Sequence, residues 1–140
     1  MKTGDKLLIG VDLKKDPNII HQAYFDPHGI TKRFNINLLT RINRELGGNF
    51  NENNFDFEIN YDPTTGEVKS YLKSLVQQKI EIKKMELEVE FKEGETIWTE
   101  LSKKYDLSEL KTLLQNAGFK TLQHFTDSRK YFSDSVFEKI

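Results

Sequence analysis

Lys6-Leu7-Leu8-Ile9-Gly10-Val11-Asp12 is apolar at odd and even positions alike between its two charged ends. Side chains of a strand alternate from face to face, so a strand with one wet face shows a polar residue at every second place. This one does not. The pattern is that of a strand covered on both sides, as at the centre of a parallel sheet flanked by helices. The residues that follow agree with it. Asp16-Pro17 opens a helix, with aspartate as N-cap and proline at the first helical position. Ile19, Ile20, Ala23 and Tyr24 share one face, and Asp26-Pro27-His28-Gly29 ends the helix. A second helix is predicted from Thr31 to Leu46. Phe34, Leu38, Ile42 and Leu46 form its apolar stripe, Leu39 widens it, and Gly47-Gly48 stops it.

The middle of the chain changes period. Phe55, Phe57, Ile59 and Tyr61 alternate with Asp56, Glu58 and Asn60, a one-sided strand. Asp62-Pro63-Thr64-Thr65-Gly66 is a hairpin turn. A strand from Glu67 to Val76 then puts Val68, Ser70, Leu72, Ser74 and Val76 on one face. Met85, Leu87, Val89 and Phe91 alternate with Glu86, Glu88 and Glu90, and Glu93-Gly94 turns the chain into a strand over Thr96 to Tyr105. Asp106-Leu107-Ser108-Glu109 is a capping box. It starts a helix that buries Leu107, Leu110, Leu113, Leu114 and Ala117 and ends at Gly118. Phe119 to Phe125 and Tyr131 to Phe137 are two closing strands. The order reads as one domain with three parts: 1–48 strand and helices, 50–105 β-rich, 106–140 helix and strand pair.

At 140 residues the chain is long enough to bury a core. A net charge of -1 gives no electrostatic case for nucleic acid or an anionic membrane. No apolar run approaches the ~20 residues of a membrane span. Met1 is followed by Lys2-Thr3-Gly4-Asp5 rather than by the apolar segment of an export signal. There is no cysteine, which excludes disulfides, thiolate metal sites and a cysteine nucleophile. A cytoplasmic protein is expected.

Chemistry concentrates at Thr99-Glu100-Leu101-Ser102. On a strand, Glu100 and Ser102 point to the same face. A carboxylate accepts from an imidazole N–H, and a hydroxyl can donate to or accept from the other ring nitrogen, so the pair suits gripping a histidine side chain. On local pattern alone, a polar outer face is the default reading. Tyr24 is either a core tyrosine or a phenol at the ligand side of the sheet. Asp12 closes the first strand, where functional residues of such sheets gather, yet a simple cap is as good a reading. Trp98 shares the parity of Glu100; it walls a pocket or sits in the core. His21, His28 and His124 have no partners at metal-ligand spacing. Glu86, Glu88 and Glu90 with Lys83 and Lys84 read as a solvated face.

Four runs stand in order along the chain: Leu8-Ile9-Gly10-Val11-Asp12-Leu13-Lys14-Lys15-Asp16, Gln22-Ala23-Tyr24-Phe25-Asp26, Asn43-Arg44-Glu45-Leu46 and Thr99-Glu100-Leu101-Ser102. Together they resemble the C-terminal part of the histidine-specific, S-adenosylmethionine-dependent methyltransferases, whose best-known member makes trimethylhistidine for ergothioneine. The resemblance implies an α/β fold: the C-terminal portion of a Rossmann-like class I methyltransferase sheet with an added β-rich substrate-binding subdomain. It implies that Tyr24 binds the amino-acid substrate and that Glu100 and Ser102 hold its imidazole. Lys69-Ser70-Tyr71-Leu72 departs from the family's Glu-Met-x-Leu, so Ser70 stands where a methionine lines the pocket. That changes the shape and wetness of the pocket rather than the reaction class. No Gly-rich cofactor loop is present, so the resemblance places the S-adenosylmethionine site mostly before residue 1, in a missing N-terminal half. The chain alone is then expected to be inactive and to carry no catalytic residue, and its first strand, open on one edge, is expected to self-associate or to be poorly ordered. The alternative is a non-enzymatic α+β module that binds a small molecule or a partner chain.

Overall fold

A computed structural model describes residues 1–25 and 27–140; Asp26, part of the expected helix-ending turn, lies outside the described residues. The strands are β1 (Lys6–Asp12), β2 (Phe55–Asp62), β3 (Glu67–Ser74), β4 (Gln78–Ile82), β5 (Leu87–Phe91), β6 (Thr96–Lys103), β7 (Phe119–Thr126) and β8 (Phe132–Lys139). The helices are α1 (Pro17–Tyr24), α2 (Ile30–Leu46) and α3 (Leu107–Asn116). The described residues form a mixed α/β arrangement with three small sheets, ordered β1-β8-β7, β2-β3-β6 and β4-β5. None of the described helices is long and apolar enough to cross a membrane.

The chain forms two compact units, each discontinuous in sequence. The first comprises Met1–Pro17, Asp62–Glu67 and Ser102–Ile140. Here β8 is the central strand, antiparallel to β1 on one side and to β7 on the other. α3 contributes Leu110 and Leu114 to a core with Val11, Leu13, Phe119 and Phe137. Each such side chain contributes about 2 kcal/mol on burial. The capping box forms as read: the Glu109 carboxylate accepts the Asp106 N–H at 2.9 Å. Between β7 and β8 the Asp127 carboxylate accepts the N–H groups of Arg129, Tyr131 and Phe132.

β1 differs from the expected central parallel strand. Its strand neighbour among the described residues is β8 alone, and that pairing is antiparallel. Beyond its end, Leu13 forms a parallel bridge with Tyr105. Only one face is covered: Val11 is buried, while Leu8 is 65% exposed. An apolar sequence on two faces sets what a strand can bury, and the neighbours present decide what it does bury.

The second unit comprises Asn18–Tyr61 and Val68–Leu101. Its core joins Leu39 of α2 to Phe50, Phe55, Leu72, Ile80, Ile82 and Phe91. Gly47 takes φ +69° and ends α2 as predicted, its N–H bonding back to Asn43 O. The stripe on α2 was expected along Phe34, Leu38, Ile42 and Leu46. Phe34 is instead 70% exposed and Leu38 is exposed too, whereas Asn35 and Leu39 are buried. A line drawn through every fourth residue winds about 40° per step around a helix with 3.6 residues per turn. Its two ends therefore face different directions, and only Ile42 and Leu46 reach the core. The sequence pattern does not mark β4; it pairs with β5 as a two-stranded ribbon that buries Ile80, Ile82 and Phe91.

Candidate functional site

β6 carries the candidate pair, and the boundary between the two units passes between Leu101 and Ser102. Each end of the strand is therefore set by its own surroundings. In the second unit, Thr99 Oγ1 lies 2.8 Å from Asn35 Oδ1 and 3.1 Å from Ser70 O, sharing its proton between two acceptors. Asn35 in turn donates to Thr31 O at 3.1 Å. Asn35 and Ser70 are both buried. Thr99 thus faces α2, and by strand alternation Trp98 and Glu100 face the other way. Both are exposed. Trp98 is not the core residue of one reading: it is 59% exposed, and its indole N–H donates to Glu100 O at 2.9 Å.

Ser102 belongs to the first unit and is half-buried there. Its Oγ accepts from Lys104 Nζ at 2.7 Å. Lys104 is 6% exposed, and its ammonium lies 3.1 Å from Asp12 Oδ2. The other Asp12 oxygen takes Lys15 Nζ at 2.5 Å, and Lys15 also donates to Tyr131 O at 3.1 Å. The backbone pins the same place: Lys104 N–H donates to Gly66 O at 2.7 Å, and Tyr105 N–H donates to Asp12 O at 3.0 Å. Asp12 is therefore more than a turn cap, since it carries two lysines. Beside it, Lys14 bridges Asp106 and Glu109, each at 3.0 Å. Glu109, first through the Asp106 N–H and then through Lys14, is held below the usual carboxylate range, and Lys14 is raised by the two carboxylates.

Tyr24, at the end of α1, is half-buried and lines a surface cavity of about 260 Å³ with Phe25, Gly29, Lys32, Asp56 and Phe57. Lys32 and Asp56 pair across 2.6 Å at this cavity, and the Lys32 ammonium and the Phe57 N–H hold the Asp56 carboxyl low. Ser70, Glu100 and Ser102 do not line it. Ser70 points with Leu72 toward the buried side of β3. The histidines serve local packing: His21 stacks on Phe25, and His124 Nδ1 meets Ser135 Oγ at 2.7 Å. Among the described residues no group of three or more His, Asp or Glu side chains is placed to hold a metal ion.

Sequence reasoning missed Lys104. The doublet Lys103-Lys104 at a strand end reads as solvated, and the signal that marks the second lysine, its shared parity with Ser102, is weak without Asp12 in view.

The family described as histidine-specific methyltransferase, SAM-dependent, matches residues 1–139. The chain is 33% identical over 139 residues to a histidine N-alpha-methyltransferase of Mycobacterium tuberculosis, covering 99% of this chain and 43% of that protein. It is 32% identical over 136 residues to the protein of the same name from Mycolicibacterium smegmatis, covering 97% of this chain and 42% of the relative. Ergothioneine biosynthesis protein 1 of Schizosaccharomyces pombe is 28% identical over 136 residues, 96% of this chain and 17% of that protein. The chain thus spans about two fifths of the length of the first two relatives.

Proposed function

The chain belongs to the histidine-specific, SAM-dependent methyltransferase family, and from that premise we propose that it is the C-terminal, substrate-recognising part of an N-methyltransferase acting on the α-amine of histidine or a related amino acid. β1, α3 and the β7–β8 hairpin are the end of a Rossmann-like class I sheet on this reading. Residues 50–105 are the β-rich substrate subdomain. Tyr24 orients the amino acid, Glu100 accepts an imidazole N–H, and Ser102 meets the other ring nitrogen. Ser70, where the resemblance expects methionine, makes the pocket wall smaller and more polar. The observation that carries the reading is the match of the family over residues 1–139 together with Glu100 and Ser102 on alternate positions of one strand.

S-adenosylmethionine supplies the methyl group in this family. The described residues do not form a cradle for it. The strand-to-helix turns β1–α1 and β6–α3 contain no glycine, and the lysines of the first, Lys14 and Lys15, are engaged with Asp106, Glu109 and Asp12. The isolated chain should therefore show no binding of S-adenosylmethionine by calorimetry.

The test of the site is Glu100→Ala in the full-length protein. A lost charge-assisted hydrogen bond costs roughly 1.5–3 kcal/mol. Histidine affinity should fall accordingly while cofactor affinity stays unchanged. A KM that stays within a factor of about two for every amino acid tested makes Glu100 a surface residue and ends the assignment. The same reading extends to the open edge of β1. With Leu8 exposed, that edge invites a second copy of the chain. Sedimentation of the isolated chain at micromolar concentration should show dimers that Leu8→Lys disperses; a monomer in both cases removes the proposal.

A further inference from the structure

We propose that Trp98 is a substrate-contacting residue: its indole is the platform on which the flat ring of the amino-acid side chain stacks while Glu100 takes the ring N–H. The inference rests on the proposed role of Glu100 as the acceptor of an imidazole N–H.

Trp98 and Glu100 stand at alternate positions of β6, so both project from the face turned away from α2. Two residues of strand advance about 7 Å, which sets the indole and the carboxylate close enough to serve one small ring. A single exposed tryptophan needs no ligand to explain it. This one is distinguished by how it is held. Its indole N–H donates to Glu100 O at 2.9 Å, so the edge of the ring is tied to the backbone of the residue that carries the carboxylate. The side chain is nevertheless 59% exposed, so a face of the ring stays open to water. Among the described residues, no ring or cation covers the indole, and no donor occupies the Glu100 carboxylate. The tether sets the orientation of the indole before a ligand arrives, which lowers the ordering cost of using it as a contact surface.

An imidazole is flat and carries N–H donors in its own plane. Over an indole face, the neutral ring gains from offset stacking and the protonated ring from cation–π attraction. Stacking occupies the faces of the imidazole and leaves its in-plane N–H groups free to meet a carboxylate at the side. The two residues therefore read different properties of one side chain: Glu100 reads the donor, and Trp98 reads the flat π surface. A hydroxyl side chain satisfies the first and not the second. The pair selects a nitrogen heteroaromatic.

The experiment titrates L-histidine into the full-length protein by calorimetry and compares the wild type with Trp98→Leu, Trp98→Phe and Glu100→Ala. Trp98→Leu removes the π face and should weaken binding about fivefold or more. Trp98→Phe keeps a π face and loses the N–H tether, and it should stay within about twofold of the wild type. S-adenosylmethionine affinity should be equal in all of them. If Trp98→Leu loses that affinity too, Trp98→Thr, which suits an exposed strand position, replaces it under the same thresholds. A Trp98→Leu protein within about twofold of the wild type overturns the proposal. So does a Trp98→Phe protein as weak as Trp98→Leu, because the indole then acts only by tethering the Glu100 backbone. Unchanged histidine affinity in Glu100→Ala removes the placement of the imidazole, and this inference with it. A weakened Glu100→Ala beside an unaffected Trp98→Leu removes this inference and leaves that placement standing.

Discussion

Each of the two units buries a polar knot, and the two knots are of opposite kinds. The one around Asn35, Thr99 and Ser70 is neutral, and its members bond to one another: Asn35 donates to Thr31 O, and Thr99 divides its proton between Asn35 and Ser70. The one around Lys104, Asp12 and Ser102 is charged, and its serine oxygen accepts from a buried ammonium. A closed neutral network fixes a backbone, here the crossing of α2 with β3 and β6, and offers nothing to a ligand. A charged one ties the end of β6 to β1 through a buried ammonium and its carboxylate. The difference separates Ser70, which the fold buries, from Ser102, which it presents half-covered.

The comparison breaks most readily at Gly66. The charged knot depends on a backbone that a side chain cannot enter: a Cβ at this position would meet Lys104 O at 2.1 Å and Lys14 Cε at 2.8 Å, at a φ of +75°. Gly66→Ala should cost on the order of 3 kcal/mol through left-handed strain and the forced displacement of Lys104. Denaturant unfolding measures it. A loss under about 1 kcal/mol means that the turn yields, and that Lys104 is less tightly held than its bonds imply.

Asn35→Ala comes next. It removes one acceptor from Thr99 and the side-chain bond to Thr31 O, while Thr99 keeps Ser70 O. The expected loss is about 2 kcal/mol, that of two hydrogen bonds of a buried side chain. Denaturant unfolding measures it, and a loss under about 0.5 kcal/mol means that Thr99 is held by Ser70 alone and that the neutral knot is not closed.

Much of this was legible in the chain and some was not. The Asp106–Glu109 capping box and the Gly47 stop were readable because the bonds they make span a single turn. The alternation of β2 and β3 was readable because one buried face imposes a strict period of two. The α2 stripe was misjudged because Phe34 and Leu46 lie too far apart for one every-fourth line to keep its face. β1 reads as covered on both sides because sequence shows apolarity and not neighbours. At the candidate site, Glu100 and Ser102 were legible as residue types on alternate positions. Lys104 was not, because a buried lysine announces itself only through its partner, and Asp12 comes from the other end of the chain. Nor does sequence order show that Asp62–Glu67 groups with the two termini.

The smallest expected effect is a pH dependence that the charged side possesses and the neutral knot lacks. Glu109 is held low by the Asp106 N–H and Lys14, so it adds stability at pH values above its unfolded pKa of about 4.3 and loses it as pH falls through the folded value. Lys14 is raised by Glu109 and Asp106, so its contribution is complete below about pH 10.4 and is lost as pH rises through its folded value. Stability should be flat between these limits and decline on both flanks. Asp56, Asp62, Asp127 and Glu138 are also depressed, and Lys73 and Lys79 are also raised, so the flanks are shared. Lys14→Met should therefore shrink both flanks without abolishing either, since the Asp106 N–H still bonds Glu109. Asn35→Ala should lower the whole curve and leave its shape alone. Thermal melts at pH 3, 7 and 11 for the three proteins compare the two. If Lys14→Met merely lowers the curve by a constant, the triad acts through packing of the lysine stem along its neighbours, and the electrostatic distinction between the two regions rests on Lys104 and Asp12 alone.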